Sequence, residues 1–467
     1  MARDLVRLNY PPANWVPEQN GPDDKPLCDV LIVGAGMCGL TASFALKRLG
    51  LMRQRLIDRA TAGQEGPWLT FARMERLRSP KHLTGPAMGL ANLTFRAWYE
   101  AQHGAQAWET LGRIPRAMWA EYLAWYGRAT GARIENGVTL QQIEPADDFL
   151  TAVLTHTDGR GETVHARKIV LATGRESPGQ ARIPKALQAE YGRSVLHSAD
   201  AIDFASLANK RVAVIGLAAS AFDNAACALE AGAAEVVLLG RAQAMPRVNK
   251  AKQIVYAGFV HGYPEMTDSE RFSWLSQVFS GGVAAPRESV QRFTRHPQAR
   301  IQLGCEVTAC RRQGDQLELV TTTGPLTTDL IILGTGFDVD VPGTRAMTFS
   351  GRLQLWRDRL PAANRESDLA AFPYLDSGFR YTTTDAELVP HAHRLHAFSH
   401  VCMVSLGNLA NDIPAVSEGA ERLARAIATD LFQEDKAIHW QRLADYADPE
   451  LLGDEVPGLG AWSPPLT

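Results

Sequence analysis

The chain is poor in cysteine, has no long hydrophobic run and carries almost no excess charge, and each absence excludes a class of protein. The six cysteines stand singly, and without a C-x-x-C pair a disulfide reductase is an unfavourable interpretation. No apolar run approaches the ~20 residues of a membrane span, and the N-terminus lacks the apolar core of a signal peptide. A net charge of −3 at pH 7 argues against nucleic-acid binding. We expect a cytoplasmic protein with neither membrane nor nucleic-acid partners.

Two units, each with an apolar strand, a glycine-rich turn and a helical stretch, dominate the 467 residues. The first turn, Gly34-Ala35-Gly36-Met37-Cys38-Gly39, is a complete G-x-G-x-x-G in the context of a dinucleotide-binding fold. We expect Gly34 to make the tight turn, Gly36 to let a pyrophosphate approach, and Gly39 to let the helix pack on the strand. The helix N-terminus, with Met37 and Cys38, would offer N–H groups to the phosphates.

The residue that follows the next strand predicts which nucleotide the first unit binds. That strand ends at Asp58, with Arg59 beside it. A carboxylate at this position accepts hydrogen bonds from a ribose diol, and it would repel a 2′-phosphate. We therefore predict FAD at the first unit, in contact with Asp58 and Arg59.

The second unit has an imperfect turn and a base in place of the acid. Its turn begins at Gly216, has Ala218 and Ala221 where the second and third glycines would stand, and offers the hydroxyl of Ser220. Arg241 follows the next strand, and a guanidinium binds phosphate bidentately. We predict that this unit binds NADPH through its 2′-phosphate.

Two alternatives stay open for these motifs. Glycines after a strand are also ordinary turn residues. The basic residues that follow Arg241 equally fit a solvated helix face; they are Arg247, Lys250 and Lys252.

The order of the elements places one unit inside the other. A hairpin leads into the turn Ala172-Thr173-Gly174, and a near copy leads into Gly334-Thr335-Gly336. Because each copy closes one lobe, we predict an α/β fold with two dinucleotide-binding, Rossmann-like domains, the NADPH domain being inserted into the FAD domain. The predicted parts are an N-terminal extension that wraps or stays loose (1–25), the first part of the FAD domain (26–185), the NADPH domain (186–328), and the second part of the FAD domain with a C-terminal tail (329–467).

This arrangement resembles the class B flavoprotein monooxygenases, which include the flavin-containing, Baeyer–Villiger and N-hydroxylating monooxygenases. The resemblance covers roughly residues 28–430 and includes the two later turns, the run Ile114-Pro115-Arg116 and the tail from Ser405 to Ala415. The resemblance implies that Trp68, in a Gly-x-Trp segment, contacts the cofactor. It implies the same for residues of the two later turns and of the tail. These residues are Thr173, Gly174, Gly336, Asn408, Asp412 and Ile413.

The chain departs from the family at two places. Flavin-containing members carry F-x-G-x-x-x-H before the second nucleotide motif, whereas here the run from Tyr191 to His197 has Arg193 in place of the glycine. His197 is predicted to lie near the nicotinamide, with a structural histidine as the alternative. Where related enzymes place an asparagine beside the flavin, this chain has Arg78.

Arg78, His82 and His197 are the candidate catalytic residues. Arg78 and His82, together with Lys81, could orient a substrate or stabilise developing negative charge. The same three side chains could equally hold FAD phosphates or face solvent.

The resemblance implies an FAD-, NADPH- and O₂-dependent monooxygenase that forms a C4a-(hydro)peroxyflavin and inserts one oxygen atom into a small organic substrate. Arg73, Arg76 and Arg78 would favour a carboxylate-bearing substrate, which makes N-hydroxylation of an amine or amino acid the preferred reaction. The alternatives are Baeyer–Villiger or sulfide oxygenation, an NAD(P)H oxidoreductase without oxygen insertion, and a non-catalytic flavoprotein.

Two further regions have weaker signals. Residues 251–298 contain aromatic residues at irregular helical spacing, which fits a substrate channel, a homodimer face or plain core packing. Four histidines precede a predicted apolar strand at 401–404, and no cysteine or carboxylate completes a zinc spacing, so we predict no metal; they are His391, His393, His396 and His400.

Overall fold

The computed structural model describes residues 1–175, 178–410, 412–452, 455 and 457–458; the end of the predicted tail, 459–467, lies outside them. The strands are β1 (Cys28–Val33), β2 (Gln54–Asp58), β3 (Ile134–Asn136), β4 (Val138–Ala146), β5 (Phe149–His156), β6 (Gly161–Leu171), β7 (Gly179–Ala181), β8 (Val195–His197), β9 (Arg211–Ile215), β10 (Glu235–Gly240), β11 (Ala299–Leu303), β12 (Val307–Gln313), β13 (Gln316–Thr321), β14 (Gly324–Thr328), β15 (Leu330–Leu333), β16 (Phe337–Val339) and β17 (Leu395–Ala397). The α-helices are α1 (Ala2–Arg7), α2 (Met37–Arg48), α3 (Phe95–His103), α4 (Ala105–Thr110), α5 (Arg116–Ala129), α6 (Ala219–Glu230), α7 (Ala257–Gly262), α8 (Asp268–Phe279), α9 (Arg287–Thr294), α10 (Val389–Ala392), α11 (Met403–Leu406), α12 (Val416–Glu434) and α13 (Lys436–Ala444).

The first sheet has the order β3-β2-β1-β6-β5-β4, and β17 also pairs with β6. Strand β1 is parallel to β2 and β6, in a register that places Val33 beside Ile57 and Leu171. The carboxyl ends of these strands therefore meet at one edge of the sheet, where the first glycine turn begins. Strand β1 is almost continuously apolar and buried, as expected of a parallel strand that is covered on both faces.

The second sheet, β11-β10-β9-β15-β8, is parallel throughout. The chain then returns to the first sheet, where β17 pairs with β6. The predicted insertion of one dinucleotide-binding domain into the other is thus confirmed. The boundary predicted between residues 328 and 329 is wrong, because β15 completes the second sheet by pairing with β9. We propose that the inserted domain ends after β15.

The two crossings between the domains lie side by side. Strand β7 leaves the first domain, β16 returns towards it, and the two pair antiparallel as a separate ribbon. The backbone N–H of Arg182 donates to the carbonyl of Gly336 at 3.0 Å. The Gly336 turn therefore belongs to the connection between the domains.

The N-terminal segment wraps along the first domain. The hydroxyl of Tyr10 donates to the carbonyl of Thr130 at 2.8 Å, and the guanidinium of Arg53 donates to the carbonyl of Pro17 at 2.7 Å. Val16 is buried in the main core. Of the two expectations for this segment, wrapping is the one that the structure shows.

Helices α7 and α8 pack into the core of the first domain, although they lie within the inserted sequence. Phe259, Tyr263 and Phe272 belong to the same hydrophobic cluster as β1. The Tyr263 hydroxyl donates to the carbonyl of Val404 at 2.9 Å, and Arg271 donates to the carbonyl of Ser405 at 2.6 Å. Core packing is therefore what the structure shows for α7 and α8.

The strand predicted at 401–404 is wrong. Residues His400–Cys402 form a 3₁₀ helix that continues into α11, and the strand of this region is β17, which ends at Ala397. The four nearby histidines do not join a metal-binding cluster among the residues described. No α-helix in the described ranges is long and apolar enough to cross a bilayer.

Candidate active site

The first glycine turn is too closely packed for side chains. A methyl group placed on Gly39 would lie 1.8 Å from the carbonyl oxygen of Gly34, so the helix can approach the strand only through glycine. Gly34 has φ +100°, and a methyl group there would lie 2.6 Å from the carbonyl oxygen of Ala172. The turn Ala172-Thr173-Gly174 consequently rests directly on the first glycine turn.

Asp58 organises the open side of this turn. One carboxylate oxygen accepts from the N–H of Ala35 at 2.7 Å and the other accepts from the N–H of Ala60 at 2.8 Å. The side chain is nearly buried, yet each carboxylate oxygen has lone pairs left for a ribose diol. Arg59, the next residue, is exposed. The predicted position of the acid beside the turn is the one observed.

The segment around Trp68 lies over the same turn. The Cα atom of Gly66 lies 3.6 Å from the position that a Cβ atom on Gly36 would occupy. Met37 and Cys38 are buried at the start of α2. The indole N–H of Trp68 is buried without an acceptor among the described residues, and a buried donor of this kind is a candidate contact for a bound molecule.

The tail and the later turn come together at this edge. The N–H of His400 donates to the carbonyl of Gly174 at 3.2 Å, and Asn408 and Asp412 are half-buried while Ile413 is buried. Burial raises the pKa of Asp412 to about 6, opposed by the N–H of Ile413 and by the positive charge of Arg175. Glycine turns, an acid, an unpaired indole N–H and a polar tail at one edge fit a flavin dinucleotide.

The second turn is closely packed like the first, but it has alanine at the third glycine position and glycine in the later turn that faces this alanine. Gly216 has φ +129°, and a methyl group on it would lie 2.6 Å from the carbonyl oxygen of Gly334. Ala221 stands at the third glycine position, and its methyl group fits because it faces a glycine, Gly334. A methyl group placed on Gly334 would lie only 2.6 Å from the methyl group of Ala221. Ala218 precedes the first residue of α6, and Asn224 donates to the carbonyl of Ser220 at 2.8 Å.

Arg241 lies beside this second turn. It follows β10, which runs parallel to β9 with Leu239 opposite Ile215. The side chain is exposed, and it makes neither a hydrogen bond nor an ion pair in the part of the chain that the structure describes. Lys250 instead donates to the hydroxyl of Ser280 at 2.9 Å, so it secures a neighbouring loop.

Arg78 reaches across to the inserted domain. Its guanidinium lies 3.3 Å from the carboxylate of Asp223 on α6, and the two side chains are 46% and 4% exposed. The pair borders a groove of about 180 Å³ between the domains, whose walls also include Arg113, Glu288 and Ser289. Burial raises the pKa of Asp223, while Ser289 and Arg78 oppose the shift.

The other predicted catalytic residues are placed differently. Lys81 donates to the carbonyl groups of Trp108 and Leu111, the latter at 2.7 Å, so it stabilises the end of α4. His82 is exposed and lies outside the groove.

His197, the third predicted catalytic residue, is fully buried. Its Nε2 lies 2.9 Å from the carbonyl of Gly336, and its Nδ1 accepts from the N–H of Ala199 at 3.2 Å. Burial lowers its pKa. Both ring nitrogens thus contact backbone groups, which fits the structural alternative, and the catalytic role stays a prediction.

Asp223 and Arg175 are the site residues that the sequence patterns missed. Asp223 lies on a helix whose neighbouring residues, Ala221, Phe222 and Ala225, are buried, and an acid on such an apolar face is the signal that could have identified it. Arg175 directly follows the Thr173-Gly174 turn, and burial, together with the positive charge of Arg78, lowers its pKa.

The chain is similar to characterised flavoenzymes over nearly its whole length. Residues 31–257 match the family described as pyridine nucleotide-disulphide oxidoreductase, although all six cysteines are free thiols. The chain is 34% identical over 458 residues to a FAD-dependent urate hydroxylase of Xanthomonas campestris, with 97% of this chain and 96% of that protein covered.

Solved structures of two ornithine hydroxylases share the fold. The reduced enzyme of Pseudomonas aeruginosa (PvdA) is 16% identical with a TM-score of 0.68, and 87% of this chain and 100% of that chain are covered. The ornithine N-hydroxylase of Kutzneria sp. 744, determined with reduced FAD, NADP⁺ and L-ornithine, is 17% identical with a TM-score of 0.67 and the same coverage of both chains.

Proposed function

The chain belongs to the class B flavoprotein monooxygenases, and since its full-length relative is a FAD-dependent urate hydroxylase, we propose that it hydroxylates urate or a closely related oxopurine. It is a flavin-dependent enzyme that uses FAD and NADPH, with O₂ as the oxygen donor. The observation that carries the choice of substrate is the 34% identity to that hydroxylase across 97% of the chain.

We propose two cofactor sites at the carboxyl edges of the two sheets. FAD is held by the first turn, by Asp58 and by the loops and tail that cover them; these residues are Gly34, Gly36, Met37, Cys38, Gly39, Asp58, Arg59, Trp68, Thr173, Gly174, Asn408, Asp412 and Ile413. NADPH is held by the second turn and by the base beside it; these residues are Gly216, Ala218, Ser220, Ala221 and Arg241. Gly336 connects the two sites.

The chain's own residues bind and orient around these sites, while bound FAD and NADPH supply hydride transfer and oxygen activation. Asp58 binds the ribose of FAD and keeps the nucleotide turn in shape through its bonds to Ala35 and Ala60. Helices α7 and α8 pack against the tail through Tyr263 and Arg271, and this packing limits the access of water from that side.

N-hydroxylation of an amine or amino acid is the second candidate. The groove places acids beside bases, with Asp223 and Glu288 facing Arg78 and Arg113, and such a set can bind an ammonium and a carboxylate at once. Ornithine is the substrate named for two enzymes of the same fold.

A substrate comparison on the purified FAD-loaded enzyme tests the choice. NADPH oxidation is followed with urate, L-ornithine, L-lysine or cadaverine, and products are identified by mass spectrometry. We expect urate alone to accelerate NADPH oxidation and to be consumed. A hydroxylamine product from one of the three amines, with urate inert, would replace urate by the second candidate.

A further inference from the structure

Two neighbouring tryptophans beside the first nucleotide turn each have a buried indole N–H without an acceptor among the described residues. They are Trp68, in the segment over the turn, and Trp119 on α5. Their rings pack edge to face with the centroids 6.2 Å apart, and Trp119 is fully buried. Leaving one buried donor unsatisfied is costly, so two adjacent ones indicate that a bound molecule supplies the acceptors.

The N–H edge of Trp119 faces Gly85 and the tail. A Cβ atom placed on Gly85 would lie 3.2 Å from Cη2 and 4.0 Å from Cζ2 of Trp119, and 3.6 Å from Cγ2 of Ile413. Cη2 and Cζ2 belong to the edge of the indole that also carries Nε1. Trp119 and Ile413 therefore flank Gly85, and a residue without a side chain keeps the space between them open.

The N–H edge of Trp68 faces the glycine turn itself. A Cβ atom placed on Gly66 would lie 3.7 Å from the Cα atom of Gly36, and 3.8 and 4.0 Å from Cδ1 and Nε1 of Trp68. Arg116, at the start of α5, donates to the carbonyl of Trp68. Helix α5 therefore carries Trp119 and also holds the segment of Trp68 in place, so the two indoles have a fixed relative position.

Most of the rings around Trp119 are poorly placed to accept its N–H. An indole N–H lies in the plane of its ring, so it reaches the face of a neighbouring ring only when the two rings are nearly perpendicular. Phe95 and Tyr122 are tilted by only 36° and 41° against Trp119. Trp68 is nearly perpendicular, at 74°, and its ring face is therefore the competing acceptor.

We propose that the indole N–H of Trp119, together with that of Trp68, donates a hydrogen bond to bound FAD. Trp119 lies between two residues of the proposed FAD site, because it contacts Trp68 on one side and flanks Gly85 with Ile413 on the other. Besides its size, tryptophan adds to an aromatic cluster only this donor. The phosphate, ribityl and ring oxygens of FAD are acceptors of the kind that it requires. This inference rests on the proposed FAD site.

The indole N–H signals of the enzyme report on this bond directly. The enzyme is labelled with ¹⁵N-tryptophan, and ¹H–¹⁵N correlation spectra are recorded for the FAD-loaded form and after removal of FAD. Trp119→Phe and Trp68→Phe assign the two signals, and Trp119→Tyr takes the place of Trp119→Phe if that variant does not fold. The matched control is Trp98→Phe, because Trp98 is buried in the same aromatic cluster, 5.4 Å from Phe95. FAD release from each loaded variant after dilution is followed by flavin fluorescence.

We expect the signals of Trp119 and Trp68 to move downfield when FAD is bound, as those of hydrogen-bonded N–H groups do, and the signal of Trp98 to stay in place. Trp119→Phe and Trp68→Phe should each release FAD about 10-fold faster than the wild type, the value of one hydrogen bond. Trp98→Phe should release FAD at the wild-type rate, because it loses aromatic packing without losing a contact to the cofactor.

A Trp119 signal that FAD leaves unchanged, or an unchanged rate of FAD release from Trp119→Phe, overturns the inference. A Trp119 signal at high field in both forms would show that its N–H lies over the ring of Trp68. Asp58→Ala separates this failure from a failure of the proposed FAD site. If Asp58→Ala releases FAD faster while Trp119→Phe does not, the site stands and only the inference fails. If neither variant changes the release of FAD, the proposed FAD site fails as well.

Discussion

At the residue scale, we propose that Asp58 and Arg241 are the two side chains that distinguish the nucleotide sites. Asp58 is committed to two backbone N–H groups at the first turn, whereas Arg241 is exposed beside the second. An acid beside one turn and an exposed base beside the other would select an unphosphorylated ribose and a 2′-phosphate, respectively. Each selection can be tested with a single substitution.

Asp58→Ala should lose FAD. The substitution removes the ribose acceptor and releases the N–H groups of Ala35 and Ala60, so we expect the FAD dissociation constant to rise at least ~10-fold. The measurement is the ratio of flavin to protein after gel filtration. Full flavin occupancy in Asp58→Ala would contradict the ribose assignment.

Arg241→Ala should discriminate between the two nicotinamide nucleotides. Loss of a guanidinium–phosphate contact should lower kcat/KM for NADPH about 10- to 100-fold and leave that for NADH nearly unchanged. Arg247→Ala, which also removes an exposed arginine, is the control and should change neither value. An equal loss with both nucleotides would remove Arg241 from the phosphate site.

At the scale of elements, the turns set the distance between each strand and its helix. In the first unit Gly39 faces the carbonyl of Gly34, while in the second unit Gly334 provides the space that Ala221 fills. The first unit thus requires glycine at position 39 itself, whereas in the second unit the glycine at 334 leaves room for the methyl group of Ala221. The alanines of the second motif are therefore compatible with a nucleotide turn.

Gly39→Ala should destabilise the first domain and its cofactor site together. The new methyl group would lie 1.8 Å from the Gly34 carbonyl oxygen, and forcing strand and helix apart should cost about 3 kcal/mol or more. Urea unfolding and flavin content are the measurements. Gly161→Ala is the control, because no atom lies within 4 Å of its added methyl group. Wild-type stability in Gly39→Ala would show that α2 is free to shift.

The elements that could be predicted from the sequence are those with local signals. Both turns, the strand that ends at Asp58 and the insertion of one domain into the other follow from glycine spacing and apolar runs. The sheet to which β15 belongs could not be predicted, because an apolar run of residues does not show which sheet the strand joins. The pairing of Arg78 with Asp223 is also non-local, because it joins residues of different domains.

At the scale of the whole molecule, buried charges connect the ends of the chain to the first sheet. Arg167 on β6 donates to both carboxylate oxygens of Asp435, at 2.8 and 3.0 Å, just after α12. Asp29 on β1 pairs with Arg53 at 3.2 Å, and Arg53 also holds the carbonyl of Pro17. The pH dependence of stability should report on this network.

Burial raises the pKa of Asp29 to about 6, above its value of about 3.9 in an unfolded chain. A raised carboxyl pKa favours the folded state at low pH, and this contribution is lost as pH rises through 6. Between pH 4 and pH 7 the wild type should therefore lose about 2 kcal/mol relative to Asp29→Asn. Urea unfolding of both proteins across this range is the measurement, and parallel pH profiles would contradict the buried carboxyl.

The fate of molecular oxygen tests the central claim, hydroxylation of urate by a flavin-dependent monooxygenase, most directly. The FAD-loaded enzyme is supplied with NADPH, urate and ¹⁸O₂, and the urate-derived product is examined by mass spectrometry while NADPH and hydrogen peroxide are quantified. The account predicts one ¹⁸O atom in each product molecule, with NADPH and urate consumed in equal amounts. Unlabelled urate, with all of the oxygen recovered as hydrogen peroxide, would contradict it.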